Sequence, residues 1–160
     1  MYLHVMSKEN ARDPELRHLV DEVGDRCLAL RTLSAARAVT RRYDAALRPT
    51  GLSITQFTLL VAIESLKPDA ITSLAEVLCI ERTALSRTLR PLEAKGLVER
   101  QEEAVGRAKP IRVTAPGRRA LAAAYPLWRE AQRDTEARLT QPHAEAARLL
   151  YTLRAEGPKY

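Results

Sequence analysis

The chain has 160 residues, 46% hydrophobic but only 4% aromatic, and a formal charge of +6. That length suits one domain of ordinary size, and the hydrophobic share suffices for a packed core. Few aromatics with abundant Ala, Leu and Arg favour helices over a β-sandwich. Cys27 and Cys79 are too few and too far apart for a disulfide framework or a zinc site, and His4, His18 and His143 form no ligand spacing. No apolar run reaches signal-peptide or membrane-span length, so the sequence reads as cytoplasmic, with reduced thiols and no membrane partner. No phosphate loop, nucleophile elbow or acid–base pair stands out, which argues against an enzyme and against a cofactor.

Residues 1–12 carry little pattern and read as a poorly ordered N-terminus. Asp13-Pro14-Glu15 is a helix start, with an Asp cap, Pro at the first helical position and an acid in the first turn. Helical periodicity then runs to about Arg48, with an interruption expected near Gly24, and Pro49-Thr50-Gly51 ends it. Ser53-Ile54-Thr55-Gln56 is a capping box, and the helix after it places Phe57, Leu60 and Val61 on one face. Lys67-Pro68-Asp69 is a turn. Ile71 is expected to begin a short strand, with Thr72-Ser73 capping the short helix that follows.

Cys79-Ile80-Glu81 is a tight connection into a helix from Arg82 to Lys95, which Gly96 stops. Residues 97–101 and 111–114 are strand candidates around a polar loop with Gly106 near its tip, the pattern of a hairpin. Thr114-Ala115-Pro116 opens a helix on which Leu121, Tyr125, Trp128, Gln132, Thr135 and Leu139 recur at helical spacing, with a kink expected at Pro126. A last helix from about Pro142 to Ala155 offers Ala146, Leu149, Leu150 and Leu153. The expected fold is mainly α with a small β-wing. Helices in residues 13–50 and 119–160 flank a winged helix-turn-helix lobe over residues 51–118. The flanking helices have apolar faces and too little chain to cover them, so they are expected to dimerise with a second copy.

Charge is concentrated. Residues 1–80 hold ten basic and ten acidic side chains, residues 81–119 ten and five, and residues 120–160 six and five. On the helix from Arg82, Leu85, Leu89 and Leu92 form one apolar stripe, while Thr83, Arg87 and Arg90 lie opposite with Ser86 at the edge. Arg and Ser/Thr on an exposed helix are suited to base edges and phosphates in a DNA major groove. Arg87 is the candidate for base contact, and Arg82, at the helix start, for phosphate. Arg107 and Lys109 near the wing tip are candidates for the adjacent minor groove. Arg112, Arg118 and Arg119 are further basic residues nearby.

Five segments occur in order: Gly51-Leu52-Ser53-Ile54-Thr55-Gln56-Phe57, Ser73-Leu74-Ala75-Glu76, Thr83-Ala84-Leu85-Ser86-Arg87, the Leu92-Glu93-Ala94-Lys95-Gly96-Leu97 run through Arg100, and Val113-Thr114-Ala115-Pro116-Gly117. Over about residues 26–122 they resemble the multiple-antibiotic-resistance regulator (MarR) family. The resemblance implies a homodimer on a palindromic operator in double-stranded DNA, usually as a repressor, relieved by a small, often phenolic ligand or by thiol oxidation. It places Arg107 on the arginine of the family's Asp-x-Arg wing motif, but Val105 stands where the acid does. It also sets Cys27 near the reactive cysteine of hydroperoxide-sensing members; read alone, Cys27 is equally a small core residue. Tyr43 and Trp128 are candidates for an effector pocket, with core packing as the alternative. A winged-helix protein-interaction module that binds no DNA is the competing function, and Arg82, Arg87, Arg90 and Arg107 argue against it.

Overall fold

A computed structural model of the chain describes residues 13–101 and 110–155. The expectations for residues 1–12, and for Val105, Gly106, Arg107 and Lys109, lie outside these. The described elements run α1 (Pro14–Arg26), α2 (Leu28–Leu47), a 3-10 turn (Arg48–Thr50), α3 (Ile54–Leu66), α4 (Ile71–Leu78), α5 (Arg82–Ala94), β1 (Val98–Arg100), β2 (Ile111–Val113), α6 (Ala115–Glu136) and α7 (His143–Ala155). This is a mainly helical winged helix-turn-helix. No single helix among the described residues is long and apolar enough to cross a membrane. The chain forms two compact units, one ending at Arg41 and the other beginning at Arg42.

In the first unit, Asp13 caps α1, its Oδ1 accepting from the amides of Glu15 (3.0 Å) and Leu16 (3.2 Å). The interruption falls at Cys27, not near Gly24, which stays inside α1. Cys27 leaves the helical region at ψ 105°, and its Sγ accepts from the Leu30 amide at 3.4 Å. A side-chain acceptor at the start of α2 thus decides the break, and Gly24 has no such group. No residue of α1 is buried.

The second unit carries the core. Leu47, Leu60, Ile63, Leu74, Leu85, Leu89, Leu92 and Ile111 are its largest fully buried side chains. α3 lies at the centre and packs against α4, α5, α6 and β2. It buries Phe57, Leu59, Leu60 and Ile63, and Val61, expected on the buried face, is exposed. A central helix is apolar nearly all round, so periodicity alone does not choose its face. The capping box forms as expected, Ser53 Oγ accepting from Gln56 N at 3.2 Å and Gln56 Oε1 from Ser53 N at 3.1 Å.

Ile71 begins a helix and not a strand. The N-cap is Ala70 in extended conformation, and Thr72 and Ser73 lie within the first turn of α4 without capping it. What a third strand would supply to the hairpin comes from one carbonyl of the preceding turn, Pro68 O, which accepts from Ile111 N at 3.4 Å. Strands β1 and β2 pair antiparallel with Val98 opposite Val113 and Arg100 opposite Ile111. Both α5 and α6 continue as helices through Pro91 and Pro126.

The hairpin is locked to α6 at Thr114. Its hydroxyl donates to Gly96 O at 2.6 Å and accepts from Gly117 N at 3.1 Å. Gly96 stands at φ 65°, the left-handed conformation that stops α5. At Gly117 a Cβ would meet Leu97 O at 2.1 Å and Val113 Cγ1 at 2.6 Å. A backbone oxygen cannot swing aside as a side chain does. Gly117→Ala is therefore expected to lower unfolding stability by about 1–3 kcal/mol in urea denaturation, the usual cost of overpacking. A loss below about 0.5 kcal/mol, the scale of a neutral surface change, would show that the close approach is relaxed at little cost.

Candidate nucleic-acid interface

The orientation of α5 follows from its leucines. Leu85, Leu89 and Leu92 are buried in the lobe, so residues half a turn away must face out. Arg82, Thr83, Arg87 and Arg90 are exposed and Ser86 is half-buried. These five side chains line one shallow surface depression; helical spacing singles out Thr83, Ser86, Arg87 and Arg90, and the helix start singles out Arg82. The chain enters α5 through Cys79, which sits at φ 52° and closes α4 by bonding its amide to Glu76 O. Glu81 at the N-cap makes no side-chain capping bond, so the first amides of α5 have no side-chain acceptor there. Unsatisfied amides at a helix start favour anions, and Arg82 stands beside them.

The structure sorts the basic residues of the 81–119 stretch by whether the lobe already holds them. Lys95 Nζ donates to Gly51 O at 2.9 Å. Arg100 pairs with Glu93 at 2.6 Å. Arg112 donates to Pro68 O at 2.9 Å and to Ile111 O at 3.0 Å. Arg118 donates to Val113 O at 2.9 Å and lies 3.5 Å from Glu64. Arg82, Arg87, Arg90 and Arg119 make no hydrogen bond or ion pair among the described residues. Three of those four stand on the outward face of α5. Sequence counting treats these arginines alike, because Pro68 O beside Arg112 and Glu64 beside Arg118 become neighbours only when the hairpin packs on α3 and its following turn. Arg107 and Lys109 lie outside the described residues.

The effector and redox candidates lie elsewhere. Tyr43 is buried, and its hydroxyl donates to Gln132 Oε1 at 2.5 Å. Trp128 is half-buried and stacks between Phe57 and Tyr125, with centroids at 6.2 and 5.9 Å. Both aromatic side chains thus have partners within the second unit. Cys27 is half-buried at the head of α2, whereas Cys79 is exposed in the turn before α5.

The MarR family model matches residues 52–104. Among solved structures, the M. tuberculosis transcriptional regulator MosR in complex with DNA is 39% identical, with a TM-score of 0.73 over 80% of this chain and 93% of that one. An M. tuberculosis MarR-family protein in complex with salicylic acid is 30% identical, with a TM-score of 0.62 over 81% of this chain and 97% of that one. The oxidized form of MarR from E. coli is 25% identical, with a TM-score of 0.62 over 82% and 94%. No match is found among curated proteins. With α3, α4, α5 and β1 inside the matched stretch and a solved regulator 39% identical across nearly its full length, the chain belongs to the MarR family of transcriptional regulators.

Proposed function

We propose that the protein is a homodimeric repressor that sets α5 into the major groove of a pseudo-palindromic operator. The observation that carries this reading is the sorting of the arginines. Arg82, Arg87 and Arg90 have no partner among the described residues and share one surface with Thr83 and Ser86, while neighbouring cations are tied to the lobe. An unpaired guanidinium fork is suited to a guanine edge or a phosphate. MosR, solved with DNA, supports the choice of partner. In this reading Arg87 contacts a base, Arg82 and Arg90 contact phosphates, and Arg107 and Lys109 extend the contact into the minor groove.

The second copy is inferred from exposed apolar side chains. In the first unit Leu19 and Leu28 are 57% and 68% exposed, and on α7 Leu149, Leu150 and Tyr151 are 66%, 63% and 68% exposed. Apolar faces of this kind mark interfaces, and a two-fold pair of α5 helices matches half-sites one DNA turn apart. For release, two signals are proposed. One is a small aromatic effector, supported by the salicylic acid complex of the M. tuberculosis relative. The other is peroxide oxidation of Cys27, in which one peroxide oxygen passes to Sγ, giving a sulfenic acid and water or an alcohol. The sulfur is half-buried and accepts from Leu30 N, a bond that oxidation would alter.

Three outcomes are expected. In fluorescence anisotropy, Arg87→Ala should weaken specific DNA binding by about 1–3 kcal/mol, the usual value of a bidentate base contact; equal loss on random duplex would reassign Arg87 to phosphate. Deleting residues 143–160 should give an aggregated or unfolded chain, and a well-folded monomer in sedimentation would refute the dimer. Peroxide should release DNA from the wild type and leave Cys27→Ser bound; release from both would exclude Cys27 as the sensor.

A further inference from the structure

β1 and β2 have three residues each. A two-stranded ladder this short is marginal by itself, so its direction must be set from outside. On one side the anchor is apolar: Ile111 and Val113 are buried against the lobe. On the other side it is Arg112. Its Nη1 donates to Pro68 O and Ile111 O, its Nη2 lies 4.0 Å from Asp69 Oδ1, and the neighbouring Ile111 amide donates to the same Pro68 oxygen. One guanidinium therefore ties β2 to the turn between α3 and α4. The ion pair with Asp69 is long and that carboxylate is 89% exposed, so the carbonyl bonds carry the contact. Gln101 N donates to Pro110 O at 2.9 Å, which continues the pairing one step beyond the strands toward residues 102–109.

We propose that Arg112 is a positioning residue for DNA recognition: it aims the hairpin by clamping β2 to the α3–α4 turn, and it does not itself contact phosphate. The proposal rests on the DNA-binding reading above. A basic residue on the returning strand would ordinarily be counted with Arg107 and Lys109 as a DNA contact. Here its Nη1 is already directed at two protein carbonyls. Turning Nη1 to a phosphate would break both bonds, one of them the tie between β2 and the α3–α4 turn.

The two roles separate in a double-mutant cycle on an operator duplex selected by the full chain from random-sequence DNA. If Arg112 acts through the hairpin, Arg112→Ala should weaken binding about tenfold alone and less than about threefold when Arg107 is already alanine. In an Arg87→Ala background the loss should remain about tenfold, because α5 is positioned by its own leucines. A full loss in the Arg107→Ala background, or no effect of Arg107→Ala itself, overturns the proposal. Should the alanine variant not fold, Arg112→Lys repeats the cycle with the charge kept and the planar fork removed; wild-type affinity in that variant overturns the proposal equally. A second measurement needs no DNA. Amide exchange at Ile111 and Gln101 should accelerate about tenfold in the variant while core amides at Leu60 and Leu89 hold their rates. Unchanged exchange at Ile111 and Gln101 refutes the clamp. If the wild type selects no DNA, the regulator reading fails, while exchange still decides whether Arg112 holds the hairpin.

Discussion

The burial of Leu85, Leu89 and Leu92 against α3 and the rest of the lobe fixes the rotation of α5, and the outward arginines follow from it. On a helix, three inward leucines leave no freedom over which residues face away. Each deeply buried leucine would cost roughly 2–5 kcal/mol to truncate. The recognition surface is therefore held by apolar packing, and its polar side chains need no bonds to the lobe to keep their place. That is why Arg82, Arg87 and Arg90 can stand without partners among the described residues while remaining grouped.

The hairpin adds a second kind of support to its buried Val98, Ile111 and Val113. Its strands are too short to be rigid through their own ladder, and it is held by side chains reaching backbone oxygens: Thr114 to Gly96, Arg118 to Val113 and Arg112 to Pro68. Gly117 lets α6 start directly against Leu97 O, which joins hairpin and helix without a spacer. α5 is thus oriented through hydrophobic burial, and the hairpin is also held through hydrogen bonds to backbone oxygens, those from Arg112 and Arg118 charge-assisted.

The lobe over residues 51–118 and the helices before and after it in the sequence also contrast in how far they bury their apolar side chains. The lobe fully buries Leu60, Ile63, Leu74, Leu85, Leu89, Leu92 and Ile111, although Val61, Leu66 and Val77 are exposed, whereas α1 buries none and α7 leaves Leu149, Leu150 and Tyr151 largely exposed. This contrast gives physical content to the proposed dimer: the helices before and after the lobe in the sequence have apolar surface that a second chain is suited to cover.

Much of this was legible in the sequence. The Asp13 and Ser53 caps, the Gly96 stop, the leucine stripe of α5 and the Thr114 start of α6 depend on residues within one or two helical turns, where backbone geometry and hydrogen-bonding chemistry act without the rest of the fold. The grouping of Thr83, Arg87 and Arg90 opposite that stripe follows from the same local period. Tertiary structure decided the remainder. Cys27 and not Gly24 breaks the first helical stretch, because a sulfur supplies the acceptor that the new helix start needs. Val61 faces out although its neighbours are buried, because α3 is surrounded and its apolar pattern has no single face. Ile71 joins a helix, since Pro68 O already supplies the bond that an added strand would offer the hairpin. Arg112 and Arg118 are bound while Arg87 has no partner among the described residues, since one acceptor of Arg112 lies 44 residues away along the chain and those near Arg118 include Glu64 on α3. Such partners are brought together only by packing, and a one-dimensional pattern of charge carries no record of which oxygen each guanidinium will meet.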